Sequence, residues 1–150
     1  MNDSTRLNLI AEAVRYCQRV RALGMPPAAF TKALREPVHF LWERRSGSKR
    51  SAVGFVSVKA ATLRPGAGGL IYDHAFPFRY LQEALLGLDP VSSETVAEVL
   101  SRYGVIALIT REEDDLLSAS GYRQRMPADW NGVDPLARYK AVGIELRAAF

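Results

Sequence analysis

The feature that most constrains the fold is a short apolar run at residues 105–109, which stands between two helix signals. Before it, Ser92 is a suitable N-cap for a helix that ends ahead of Gly104. After it, Thr110 and Glu113 have the spacing of a capping box. A five-residue apolar run is typical of a strand buried on both faces. The sequence therefore predicts helices that flank at least one buried strand.

The N-terminal segment predicts two helices. The first has apolar residues at steps of three or four, namely Leu7, Ile10, Val14, Cys17 and Val20. Gly24 is placed to end it as a left-handed cap. Pro26 and Pro27 open a second, shorter helix, which Pro37 is expected to close. Cys17 is the only cysteine, so no internal disulfide can form and a cysteine-based zinc site is excluded.

Residues 38–60 predict an antiparallel hairpin. Val38, Phe40 and Trp42 alternate as on one face of a strand, and residues 51–60 are rich in valine and phenylalanine. The polar link between them would turn at residues 46–48. A glycine-rich connection at residues 63–69, which lacks the ending of a phosphate-binding loop, would lead to a third short strand.

The predicted fold class is α+β, with a small antiparallel sheet near residues 38–72 and helices at both ends of the chain. Further helices are expected after Pro77 and after Asp134 and Pro135. Residues 144–146 are compatible with a final strand. A length of 150 residues fits one domain, so residues 1–150 are predicted to form a single α+β domain. Whether residues 105–109 join the same sheet is left open.

Composition indicates an ordinary globular protein, with 48% hydrophobic and 24% charged residues. No apolar run approaches the roughly 20 residues of a membrane helix. The first residues lack the basic-then-apolar order of a signal peptide. We therefore expect a cytoplasmic protein without a membrane partner.

The net charge of +4 is unevenly distributed. Residues 1–64 contain 12 Lys and Arg against 4 Asp and Glu, whereas residues 65–150 contain 8 against 12. Such asymmetry suggests an anionic partner for the basic half. The alternative is that the two halves attract each other within one fold.

The densest basic cluster is predicted to bind nucleic acid. It consists of Arg44, Arg45, Lys49 and Arg50. Trp42 and Phe55 are close in sequence, and basic residues with interleaved aromatics can hold phosphates and stack on bases. The alternative is a solvated turn whose charges discourage aggregation.

A second cluster, Arg123, Arg125 and Trp130, is a candidate partner-binding surface. Arg138 and Tyr139 extend it along the chain. Arginine and tryptophan are the residue types most enriched at the energetic centres of protein interfaces. The alternative is that Trp130 fixes its loop to the core.

Asp73 and His74 are the candidate catalytic pair, because a neighbouring carboxylate can orient an imidazole that acts as a general base. With Pro77 they resemble the Asp/Glu-His-x-x-Pro segment of HNH-type, ββα-metal nucleases. The resemblance implies that Asp73 is a ligand of a divalent metal and that His74 activates water. The family's downstream asparagine and metal-binding histidine have no counterpart at a suitable distance. The alternative for His74 is a structural role at a helix start.

The run of carboxylates at residues 112–115 is a weaker candidate for a metal site. Its place in the first turn of a capped helix favours a structural role, since acidic residues there complement the helix dipole.

The function favoured by these patterns is a small basic cytosolic binding protein without a cofactor. It would be a regulator or inhibitor acting on nucleic acid or a nucleoprotein complex. The alternative is a metal-dependent HNH-like nuclease, intact or degenerate, which would require a divalent metal.

Overall fold

The structure, a computed structural model, describes residues 1–64 and 68–149. The chain forms two units, each from two stretches of sequence. The first contains residues 1–52 and 78–102, and the second contains residues 53–77 and 103–150. The prediction of one domain over residues 1–150 stays a prediction. Residues 65–67 of the predicted glycine-rich connection lie outside the described residues.

The first unit is helical. Its helices are α1 (Asp3–Ala22), α2 (Pro27–Pro37), α3 (Phe78–Leu86) and α4 (Ser93–Tyr103). α1 packs against α2 and α3, and its stripe of Ile10, Val14 and Cys17 is fully buried. Asn2 caps the start of α1 by accepting a 2.8 Å hydrogen bond from the Thr5 amide. The predicted N-terminal helices and the helix after Ser92 are therefore confirmed.

The predicted hairpin at residues 38–60 is wrong. Val38–Glu43 continues α2 as a π-helical turn, and Lys49–Ala52 is a 3₁₀ turn. Residues 44–48 form a turn between them, and extended structure begins only at Val53.

Helical periodicity overrides the short alternation at residues 38–42. Phe30, Leu34 and Val38 recur at four-residue steps and are all buried, which is the pattern of one helix face. Pro37 does not close the helix, because its backbone angles are helical (φ −59°, ψ −42°). Phe40, predicted to share one strand face with Val38, is 57% exposed, whereas Val38 is buried.

The second unit contains a four-stranded sheet. Its strands are β1 (Val53–Ser57), β2 (Leu70–His74), β3 (Ile106–Thr110) and β4 (Leu146–Ala148), in the order β2-β3-β1-β4. β3 is the predicted buried strand, and it lies inside the sheet. It pairs antiparallel with β2 but parallel with β1, so the sheet is mixed and not purely antiparallel. The long intervening chain between β1 and β3 allows the parallel pairing.

Two helices accompany the sheet, α5 (Arg111–Ala119) and α6 (Ala137–Ala141). The capping box at the start of α5 is present. The Glu113 amide donates to Thr110 Oγ1 at 3.1 Å, and the Thr110 amide donates to Glu113 Oε1 at 2.9 Å. Ser57 Oγ also donates to Glu113 Oε1, at 2.6 Å. The buried Glu113 carboxylate therefore joins α5 to β1.

The α+β class is confirmed, since the chain contains a four-stranded sheet and has helices toward both of its ends. Within residues 1–64 and 68–149, the helices are all too short or too polar to cross a bilayer.

Candidate functional site

Asp73 and His74 end the edge strand β2. They stand opposite Ala107 and Ile106 of β3. Adjacent residues of a strand direct their side chains to opposite faces. In a regular strand, the Asp73 carboxylate and the His74 imidazole therefore point to opposite faces of the sheet.

The Asp73 carboxylate is held by two residues of α6. Its Oδ2 accepts a 2.6 Å hydrogen bond from Tyr139 Oη and a 3.0 Å bond from Arg138 Nη1. The Arg138 side chain is 2% exposed and that of Asp73 is 16% exposed. We call Asp73, Arg138 and Tyr139 the buried anchor.

The Arg138 guanidinium also donates hydrogen bonds to main-chain carbonyls. Its Nε donates to the Tyr122 carbonyl at 2.7 Å, and its Nη1 donates to the His74 carbonyl at 2.9 Å. The Ala75 carbonyl lies 3.3 Å from the same Nη1. A buried guanidinium is tolerated only when it is paired and hydrogen-bonded. The buried anchor therefore connects α6, the end of β2 and the chain after α5.

The buried anchor perturbs two titrating groups. Burial raises the pKa of Tyr139 far above its ordinary value, and the negative charge of Asp73 adds to the rise. Burial also raises the pKa of Asp114 on α5, and the charges of Asp73 and Asp115 contribute, opposed by Arg123 and Arg138. Tyr139 is consequently a neutral hydrogen-bond donor at physiological pH.

The contacts of Asp73 concern the residue that the resemblance to HNH-type nucleases names as a metal ligand. The oxygen of Asp73 that faces α6 already accepts from a cation and a hydroxyl group. In the described part of the chain, no three His, Cys, Asp or Glu side chains converge as a metal site. The assignments of Asp73 as a metal ligand and His74 as a base stay predictions.

Arg44, Arg45, Lys49 and Arg50 are all exposed, on the turn and the 3₁₀ helix that follow the π-helical turn. We call residues 44–50 the basic segment. The Arg45 guanidinium carbon lies 3.9 Å from the centroid of the Trp42 ring, and its Nη1 donates to the Trp42 carbonyl at 2.7 Å. Arg6 Nη2 lies 3.5 Å from the Arg45 carbonyl, which connects the basic segment to α1. Phe55 belongs to β1 of the second unit.

The uneven distribution of charge can be assigned to the two units of the structure. The first unit holds twelve Lys and Arg against eight Asp and Glu, and the second holds eight of each. The excess positive charge therefore resides in the unit that carries the basic segment.

The residues of the second predicted cluster differ in burial. Arg123 and Arg125 are exposed, whereas Arg138 and Tyr139 belong to the buried anchor. Trp130 is half-buried, and its ring centroid lies 5.7 Å from that of Phe76. The partner-binding role of Arg123, Arg125 and Trp130 stays a prediction.

A cleft of about 340 Å³ lies beside Trp130. The side chains of Asp129, Asn131 and Lys140 line it together with Trp130. Lys140 Nζ donates to Asp134 Oδ2 at 2.7 Å, and Trp130 Nε1 donates to the Asp134 carbonyl at 2.9 Å. These two hydrogen bonds hold Lys140 of α6 and the Trp130 ring to Asp134, beside an open cleft.

The buried anchor was missed by sequence reasoning. Arg138 and Tyr139 are predicted to extend the partner-binding cluster, and since arginine is usually at the surface, their burial has no local sequence signal. Asp73 lies 65 residues from Arg138, and no local pattern links positions so far apart.

Comparison with protein-family models, curated proteins and solved structures finds no match to this chain.

Proposed function

We propose that this protein is a cytoplasmic regulator or inhibitor that binds nucleic acid, free or within a nucleoprotein complex, through its basic segment. The observation that carries the proposal is four exposed cations within seven residues, with no acidic residue among them. Exposed cations close together can contact successive phosphates of one strand and release the counterions bound there.

Aromatic side chains beside the basic segment support this function. Arg45 is exposed but held over Trp42, so less side-chain freedom is lost when it contacts a phosphate or a base. Phe40, two residues before Trp42, is 57% exposed. An exposed aromatic ring next to a basic strip provides a surface on which bases can stack. Single-stranded nucleic acid, with its bases accessible, is the form we expect to bind best.

Binding is tested by fluorescence anisotropy with labelled single-stranded RNA, single-stranded DNA and duplex DNA. One variant changes Arg44, Arg45, Lys49 and Arg50 to Ala. A matched control changes Lys32, Arg35, Arg79 and Arg102 to Ala. The control residues are also exposed, lie in the same unit, and comprise three arginines and one lysine.

Both variants lower the net charge equally, so only the location of the lost charges differs. The first is expected to bind single strands at least about tenfold more weakly, because the lost cations contact phosphate directly. The control is expected to change affinity by less than about threefold. Equal losses in both variants would mean that overall charge, and not the basic segment, governs binding.

The Asp73 contacts favour binding over the nuclease alternative, since the carboxylate proposed as a metal ligand is occupied by Arg138 and Tyr139. We expect no cleavage of DNA or RNA with Mg²⁺ or Mn²⁺. Metal-dependent cleavage that is lost in His74→Ala, with an unchanged circular dichroism spectrum, would favour the nuclease instead.

A further inference from the structure

α1 carries a second apolar stripe that the first unit does not bury. Leu9 is 43% exposed, Tyr16 is 41% exposed, and Leu23 at the C-cap is 82% exposed. Ala13 and Val20 lie between them and are half-buried. The five residues follow one another at steps of four, three, four and three, which is the spacing of a coiled-coil seam.

The second stripe is distinct from the one that packs inside the unit. Ile10, Val14 and Cys17, which face the core, are fully buried. At 3.6 residues per turn, the centres of the two stripes lie about 107° apart around the helix. α1 therefore has one apolar face toward its own unit and another toward solvent, a pattern that marks an interaction surface.

The structure assigns this face to a second copy of the same chain, with α1 paired against α1 in antiparallel orientation and Tyr16 on the twofold axis. The seam has the symmetry that such a pair requires, since Leu9 and Leu23 are equidistant from Tyr16. Leu9 of one copy then faces Leu23 of the other, and Ala13 faces Val20. A twofold interface needs a self-complementary surface of this kind.

The charges beside the seam determine the orientation. Glu12 and Arg19, seven residues apart, lie on the same side of the seam and are both exposed. In an antiparallel pair, Glu12 of each copy faces Arg19 of the other, which gives two ion pairs by symmetry. In a parallel pair, Glu12 would face the side of the seam that contains Ile10 and Cys17, which are fully buried in their own unit.

The seam is short. Leu9 to Leu23 spans about 21 Å of helix, fewer heptads than an independent coiled coil has, so the dimer is expected to be weak and dependent on concentration. Because Arg6 contacts the Arg45 carbonyl, the pair would carry a basic segment near each end, with the two Arg6 residues about 30 Å apart along the helices. The consequence for nucleic-acid binding rests on the proposed function, whereas the dimer itself does not.

Sedimentation velocity over a range of protein concentrations tests the pairing. The wild-type chain is expected to show a reversible monomer–dimer equilibrium. Leu9→Glu should raise the dimer dissociation constant at least about tenfold, since each dimer gains two charges at the seam. Leu116→Glu is the matched control, because Leu116 has the same 43% exposure on α5. A chain that stays monomeric, or a dimer that both variants weaken equally, would overturn the proposal.

Cross-linking tests the orientation without reference to nucleic acid. Leu9→Cys and Leu23→Cys chains, tagged differently, are mixed and treated with a short thiol cross-linker. The native Cys17 is buried and contributes little background. Antiparallel pairing predicts a mixed product that joins the two tags. Products that join like chains only, or no product, would overturn the antiparallel arrangement. Unchanged nucleic-acid binding in the basic-segment variant, with the mixed product still formed, would contradict the proposed function and support the antiparallel dimer.

Discussion

The basic segment and the buried anchor both contain arginines with an aromatic neighbour, yet they have opposite physical roles. In the basic segment, Arg45 lies over Trp42 and stays exposed. In the buried anchor, Arg138 is enclosed by the Asp73 carboxylate and three main-chain carbonyls. The exposure of each guanidinium determines its role. A solvated charge adds little to stability but can bind a ligand, whereas a buried charge must be fully paired.

The largest effect is expected from Arg138→Met, which keeps much of the side-chain volume but removes the hydrogen bonds that the guanidinium donates to Asp73 and to three carbonyls. Removing one partner of a buried ion pair typically costs about 3–5 kcal/mol of unfolding free energy. Urea unfolding would be followed by Trp130 fluorescence in a Trp42→Phe background, so that the signal comes from the second unit. Arg123→Met, at an exposed position, is the control. A loss under about 1 kcal/mol would mean that the buried anchor is not a principal stabilising contact.

A smaller effect is expected from Tyr139→Phe. The variant keeps the buried ring and removes only the hydroxyl group that donates to Asp73 at 2.6 Å. A hydrogen bond to a charged group is worth about 1.5–3 kcal/mol. The same unfolding assay measures it, with Tyr72→Phe as the control because Tyr72 is 39% exposed. Equal stabilities for the two variants would contradict the place of Tyr139 in the buried anchor.

The smallest effect on stability is expected in the basic segment. Arg45→Ala removes the stacking over Trp42, which at an exposed site contributes about 0.5–1 kcal/mol. Arg44→Ala is the control, because that guanidinium has no ring contact in the described structure, and its loss should leave stability almost unchanged. Thermal unfolding followed by circular dichroism would detect the difference. A loss at Arg45 as large as that of Arg138→Met would remove the contrast between the two regions.

The parts of the fold that the sequence predicted depend on residues close together in the chain. The Thr110–Glu113 capping box and the buried stripe of α1 are such cases, since their partners lie three or four positions apart. The buried strand β3 was predicted because an apolar run of five residues between two capped helices has the length of a buried strand and not of a buried helix.

The structural predictions failed where two periodicities compete in one segment, or where the interacting residues lie far apart in the sequence. Val38, Phe40 and Trp42 fit a strand over five residues, but Val38 also continues the helical stripe of Phe30 and Leu34, and the longer pattern prevailed. The pairing of Asp73 with Arg138 is created by the tertiary fold alone. The basic segment was predicted as a cluster, although the hairpin that was to carry it is absent.

The proposal that the basic segment binds phosphates is tested most directly by the salt dependence of nucleic-acid affinity. The logarithm of the association constant falls with the logarithm of salt concentration by about 0.7 per phosphate contact on single strands. Changing Arg44, Arg45, Lys49 and Arg50 to Ala should therefore reduce the slope by up to about 3, with little change in the Lys32, Arg35, Arg79 and Arg102 control. An unaltered slope in the first variant would contradict the proposal and leave the basic segment as a solvated turn.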